Sequence, residues 1–127
     1  AQATEERDHA MRFVKYVIDA GGQVAIPAIP APKHVFASAE EAVALSLEWE
    51  ETVTKQINGL MDLAIKESDH TSQNVLGWFV NEQLEEVSSM DNLLRLVKRA
   101  GEQNLVYVEA ILARGMAKAG ADAETAG

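Results

Sequence analysis

Apolar residues recur along this chain at alternating spacings of three and four, the pattern that places them on one face of an α-helix. From about Ala3 to Ala20 the stripe runs through Ala10, Phe13 and Val17, and Gly21-Gly22 ends it, so a helix is predicted over 3–20. The helix reads as one that begins in its middle. Between Gln23 and Ala37 the prolines Pro27, Pro30 and Pro32, set among small apolar residues, forbid a regular helix and favour an extended path. A stretch of that length can cover roughly 50 Å. It is therefore read as a crossover, residues 21–37, joining two parallel helices.

Ser38-Ala39-Glu40-Glu41 is a capping box, in which the Ser38 hydroxyl and the Glu41 carboxylate satisfy amides at a helix start. The stripe that follows is Val43, Leu47, Glu50, Thr54, Ile57, Met61 and Ala64, which predicts a helix over 39–67. At about 1.5 Å per residue such a helix is a rod of roughly 45 Å. Asp69-His70-Thr71-Ser72 is a short turn, after which Leu76, Phe79, Gln83, Glu86, Met90, Leu93 and Val97 repeat the heptad spacing over 71–100, up to Gly101. So short a turn makes these two helices antiparallel neighbours. Leu105, Val106, Val108, Ile111 and Leu112 predict a last short helix over 103–114, too small to stand alone and in need of a partner surface. Residues 117–127 are Ala, Gly and acid without periodicity and are expected to be a disordered tail. No strand alternation and no internal repeat appear. The expectation is one all-α domain over 1–116.

Composition narrows what such a domain does. With 20 acidic and 11 basic side chains, the formal charge of −9 repels phosphate and anionic lipid and favours cations, so neither nucleic acid nor membrane is an expected partner. No cysteine is present, which excludes disulfides, thiolate metal sites and thiol catalysis. Without a bilayer-length apolar run or a basic-then-apolar leader, a soluble cytoplasmic protein is expected. The chain opens on Ala1-Gln2-Ala3-Thr4 with no initiator Met, so an upstream segment is also expected. Phosphate-binding glycine motifs, a serine elbow and zinc-protease spacing are all missing.

Polar residues interrupt the apolar stripes at matching places. Glu6 and His9, three apart, point from one face of the first helix at one place, the way a helix offers two ligands to a metal. Glu50 interrupts the second stripe, and Gln83 and Glu86 the third. A buried unpaired carboxylate costs several kcal/mol or must be protonated, and a shared cation removes that penalty. Oxygen donors with one imidazole and no thiolate suit iron or manganese. In that arrangement Glu6 bridges two ions, His9 is a terminal ligand to one, and Glu50 and Glu86 are terminal ligands to the other. Gln83 hydrogen-bonds bound dioxygen or ligates weakly. Two neighbouring metals let two electrons reach dioxygen together, which an isolated Fe(II) does not. Each piece also has an ordinary reading. Glu-x-x-His is common on solvated helices, and a small change of helix phase turns Glu50 outward. Glu82-Gln83-Leu84-Glu85-Glu86 equally fits an acidic exposed face. Trp78 and Tyr16 fit core or interface positions better than redox relays, and His34 and His70 fit solvated loops.

Three segments in this order resemble a bacterial non-haem ferritin: Glu5-Glu6-Arg7-Asp8-His9-Ala10-Met11, Trp49-Glu50-Glu51-Thr52-Val53-Thr54, and Trp78-Phe79-Val80-Asn81-Glu82-Gln83-Leu84-Glu85-Glu86. They match the family's second, third and fourth helices, and the Pro-rich crossover and short fifth helix match too. The resemblance implies a ferritin-like four-helix bundle and an iron-storage ferroxidase that oxidises Fe(II) with dioxygen. The Fe(III) mineral is then stored in a homo-oligomeric cage of twenty-four subunits. By position, Glu6, His9, Glu50 and Glu86 match ligands of the diiron centre, and Gln83 matches its neighbouring glutamine. Glu5, Glu82 and Glu85 match the carboxylates of a third iron site. Residues 103–114 match the helix that packs around the fourfold axis. Haem-binding relatives carry a Met two residues before the motif histidine; Arg7 stands there, so no haem is expected. The family's first helix, with its own iron-binding glutamate and a tyrosine, has no counterpart among these residues. The alternative reading is a non-catalytic helical assembly fragment with an incomplete metal site.

Overall fold

The computed structural model describes residues 2–114, and the tail expected over 117–127 lies outside them. Among the described residues there is helix and no strand, as the periodicity requires, and no helix is long and apolar enough to cross a membrane. The chain divides into two compact units, Ala1–Lys33 and His34–Gly127.

The first unit is built on α1, Gln2–Asp19. Two glycines stop the helix by different means. Gly21 adopts φ +79°, the left-handed conformation that closes a helix, and its amide donates to the Ile18 carbonyl (2.9 Å), while the Gly22 amide donates to that of Val17 (2.8 Å). This pair of bonds satisfies carbonyls that the last turn leaves open. A Cβ on Gly22 would stand 2.9 Å from Val17 Cγ1, so the second glycine is needed for close approach. Residues 22–38 form neither helix nor strand, in keeping with their three prolines.

The second unit is an antiparallel helical hairpin of α2, Ala39–Lys66, and α3, His70–Ala100. Its direction is fixed by three cross-links whose residue numbers run oppositely: Gln73 with Ala64, Gln83 with Glu50, and Lys98 with Glu40. The helix ends fall within one residue of the sequence expectation. Ile57 and Ala64 of α2, and Leu76, Phe79, Gln83 and Val97 of α3, are buried, and every one belongs to the predicted seams. Ser38 Oγ accepts from the Glu41 amide (3.0 Å), and Glu41 Oε2 reaches back to the Ala37 amide (2.6 Å). The turn between the helices, 67–69, falls earlier than the expected Asp69-His70-Thr71-Ser72, of which His70, Thr71 and Ser72 already belong to α3. Asp69 is the cap of α3, with Oδ1 accepting from the Ser72 amide (2.9 Å) and Oδ2 from the Ser72 hydroxyl (2.5 Å). Ser68, at φ 54°, makes the reversal.

α3 ends at Gly101, φ +71°, and the last predicted helix begins differently from expectation: Glu102–Asn104 is a single 3-10 turn, and α4 occupies 105–114. Glu102 explains the turn. Its Oε1 accepts from the amides of Ala39 (3.0 Å) and, more weakly, Glu40 (3.5 Å), so a residue far along the chain caps α2. Val108 of α4 is buried, whereas Val106, Tyr107, Ile111 and Leu112 are exposed.

Candidate metal centre

On α1, one turn of helix brings Glu6 and His9 together, with His9 Nδ1 3.7 Å from Glu6 Oε2. The imidazole is the more covered of the two, at 17% side-chain exposure against 49% for Glu6. Glu5, on the same turn, is exposed.

The hairpin carries the other polar group of residues. Glu50 of α2 and Glu86 of α3 are half-buried, with carboxylate oxygens within 4.8 Å of each other. Between them in sequence lies Gln83, the one buried polar residue among the described residues, at 5% exposure. Its Nε2 donates toward three oxygens: the Glu50 carbonyl (3.1 Å), Glu50 Oε2 (3.2 Å) and Thr54 Oγ1 (3.2 Å). Thr54 in turn donates its hydroxyl to the Glu50 carbonyl (2.8 Å). Buried amides are almost always hydrogen-bonded, and a bond to an ionised carboxylate is stronger than a neutral one. The amide therefore holds one oxygen of Glu50, and the carboxylates of Glu50 and Glu86 are oxygen ligands of the kind that hard cations take.

Hairpin geometry explains why these residues meet. Helical seams at spacings of three and four stay in register along an antiparallel pair, so a polar break in one seam faces the break in the other. Glu50, Gln83 and Glu86 are thus gathered as the sequence indicates. Glu82 is half-buried and Glu85 exposed, both beside this seam on α3. His34 and His70 are exposed, as expected. Trp78 is half-buried and meets Phe79 edge-on, ring centroids 4.9 Å apart. In the sequence Thr54 stands as an ordinary member of the stripe. Its signal was available: a hydroxyl four residues after Glu50 lies on the same face, one turn on.

A helical hairpin with an acid-and-amide seam, preceded by a helix carrying Glu-x-x-His, defines a bundle-forming helical protein. The chain belongs to the ferritin family, whose ferritin-like domain matches residues 1–100. It is similar to ferritin BfrB of Mycolicibacterium smegmatis, 45% identical over 122 residues that make up 96% of this chain and 67% of that protein. It is also similar to ferritin BfrB of Mycobacterium tuberculosis (40% identical, 90% of this chain and 62% of the relative). The bacterial non-heme ferritin of Staphylococcus saprophyticus is 36% identical, over 84% of this chain and 65% of that protein. Among solved structures, an open-pore ferritin from the archaeon Archaeoglobus fulgidus superposes with a TM-score of 0.84 at 33% identity, over 87% of this chain and 70% of that one. The chain thus spans 62 to 67% of the length of these curated relatives.

Proposed function

We propose that this chain provides the iron-oxidising centre of a ferritin subunit, a ferroxidase that takes Fe(II) as substrate and stores the Fe(III) product. The observation that carries the reading is the seam of the hairpin. Two carboxylates within 4.8 Å, with a buried amide bonded to one of them, make a poor core and a good binding place for hard cations. Glu50 and Glu86 are the terminal carboxylates on one iron, Glu6 bridges, and His9 gives the second iron its imidazole. Family membership supports joining the two halves, since a single ferritin-like domain matches residues 1–100 and includes them both. Glu5, Glu82 and Glu85 are assigned to a third, weaker iron position.

The chemistry follows from the donor set. Each of two Fe(II) ions gives up one electron, and one dioxygen takes both electrons with two protons from solvent and leaves as hydrogen peroxide. Carboxylates favour Fe(III) over Fe(II) because the harder, more highly charged ion gains more from anionic oxygen. Gln83 keeps Glu50 oriented while staying neutral itself. Storage is assigned to a cytoplasmic homo-oligomeric cage of twenty-four subunits, in which α4 supplies contacts around the fourfold axis.

Stopped-flow Fe(II) oxidation of Glu6→Ala beside the unaltered protein tests the reading. Rapid oxidation is expected to disappear while far-UV circular dichroism stays nearly unchanged, because the substitution removes the bridge from an exposed position on an intact helix. An unaltered rate in the variant would sink the assignment. If the unaltered chain oxidises no iron either, the non-catalytic assembly reading takes its place.

A further inference from the structure

Gln83 has two amide hydrogens and three oxygens around them. The three are not equivalent. Glu50 Oε2 sits at the end of a flexible side chain that, on the reading of Glu50 as an iron ligand, shifts when a cation arrives. The Glu50 carbonyl is fixed by the helix but already serves other donors: the helical amide one turn on and the Thr54 hydroxyl at 2.8 Å. That leaves Thr54 Oγ1. It is held near the backbone by a short, β-branched side chain, and its own hydrogen is committed to the Glu50 carbonyl. An oxygen whose hydrogen is spent can only accept.

We infer that Thr54 is the positioning residue of this centre: its hydroxyl, donating to the Glu50 carbonyl, accepts from Gln83 and fixes that amide with nitrogen toward α2 and Glu50. With Thr54 in place, Gln83 keeps its orientation when Glu50 moves onto a divalent cation, and the carboxylate is always met by a donor. Without the hydroxyl, both bonds that remain at Gln83 go to Glu50, and rotation of the amide brings its oxygen against a carboxylate. Residues that orient a metal ligand through a hydrogen bond commonly change metal affinity about 10- to 100-fold when removed.

The test compares Thr54→Val, which keeps the shape and loses the hydroxyl, with Thr54→Ser, which keeps the hydroxyl, both in the full chain. Two readouts are taken. The first needs no metal: water exchange of the Gln83 side-chain amide, followed by nuclear magnetic resonance in protein labelled with ¹⁵N-glutamine and assigned through Gln83→Glu. Loss of one neutral hydrogen bond corresponds to about fivefold faster exchange, expected for Thr54→Val and reversed in Thr54→Ser. The second is anaerobic titration with Co(II) alone, where Thr54→Val is expected to bind about 10- to 100-fold more weakly and Thr54→Ser near the unaltered protein. Exchange in Thr54→Val equal to that of the unaltered protein overturns the assignment. So does fast exchange with unchanged Co(II) affinity. Failure of the unaltered protein to take up Co(II) overturns the iron-centre reading instead, and the exchange comparison still decides whether Thr54 holds Gln83.

Discussion

Replacing Glu86 by Gln sets the stability of the metal-free protein against its capacity to bind metal. Glu50 and Glu86 carry carboxylate oxygens within 4.8 Å of each other. Unit charges at that separation repel by roughly 3.5 kcal/mol at an effective dielectric of about 20, and by roughly 0.9 kcal/mol in water. Both side chains are half-buried, and Gln83 already offsets part of the charge on Glu50. The gain expected for metal-free Glu86→Gln is therefore about 1 to 2 kcal/mol. At a slope of about 1 to 3 kcal/mol per molar urea, that moves the unfolding midpoint upward by roughly 0.5 to 1 M. The increment should shrink as salt is added, because both groups are partly in contact with solvent. Adding Co(II) under anaerobic conditions reverses the order. At about a hundred times its dissociation constant a cation stabilises the unaltered protein by about 2.7 kcal/mol, and the variant, short of one ligand, gains little. Urea titrations with and without metal, at pH 7 after chelator treatment, measure both arms. A metal-free variant that is less stable than the unaltered protein refutes the reasoning. An order that metal fails to reverse does the same.

Glycines at two kinds of position should respond oppositely. A Cβ on Gly59, inside α2, meets nothing within 4 Å, so Gly59→Ala is expected to raise stability by about 0.5 to 1 kcal/mol, read as a higher urea midpoint. Gly21, at φ +79°, should lose about 1 kcal/mol on the same change, seen as fraying of the α1 end in amide exchange. Glu102→Ala removes the long-range cap of α2 and is expected to cost about 1 kcal/mol and to speed exchange of the Ala39 and Glu40 amides. The Ser72 hydroxyl, and after it the Ser72 amide, hold the Asp69 carboxyl below its ordinary value. Because the folded value is the lower one, the contribution is complete above the unfolded pKa of about 3.9 and is lost as pH falls through the folded value. The stability difference between Asp69→Ala and the unaltered protein should accordingly be constant from neutral pH down to about 5 and close in stronger acid, as followed by urea unfolding across pH.

Helix periodicity, a purely local property, determined most of what is visible here. Ile57, Ala64, Leu76, Phe79 and Val97 are buried because they recur every three or four residues, and the same count places Glu50, Gln83 and Glu86 on the seam. Ser38 announced the start of α2, and Gly21-Gly22 and Gly101 announced the ends of α1 and α3, since caps are written within a few residues of the boundary. Tertiary structure alone decided the bonds made across the fold. Glu102 caps a helix whose first residue precedes it by 63 positions, and no local pattern records that acceptance. Nothing in the sequence of α3 says which oxygens Gln83 meets. The answer depends on the register of two helices joined by three residues, 67–69, one of them Ser68 in a left-handed conformation. Thr54 shows the division most clearly. Its place on the face of Glu50 is sequence, but its acceptance of a hydrogen from Gln83 exists only once α3 has packed against α2, because a hydrogen bond across a seam needs both partners brought within about 3 Å.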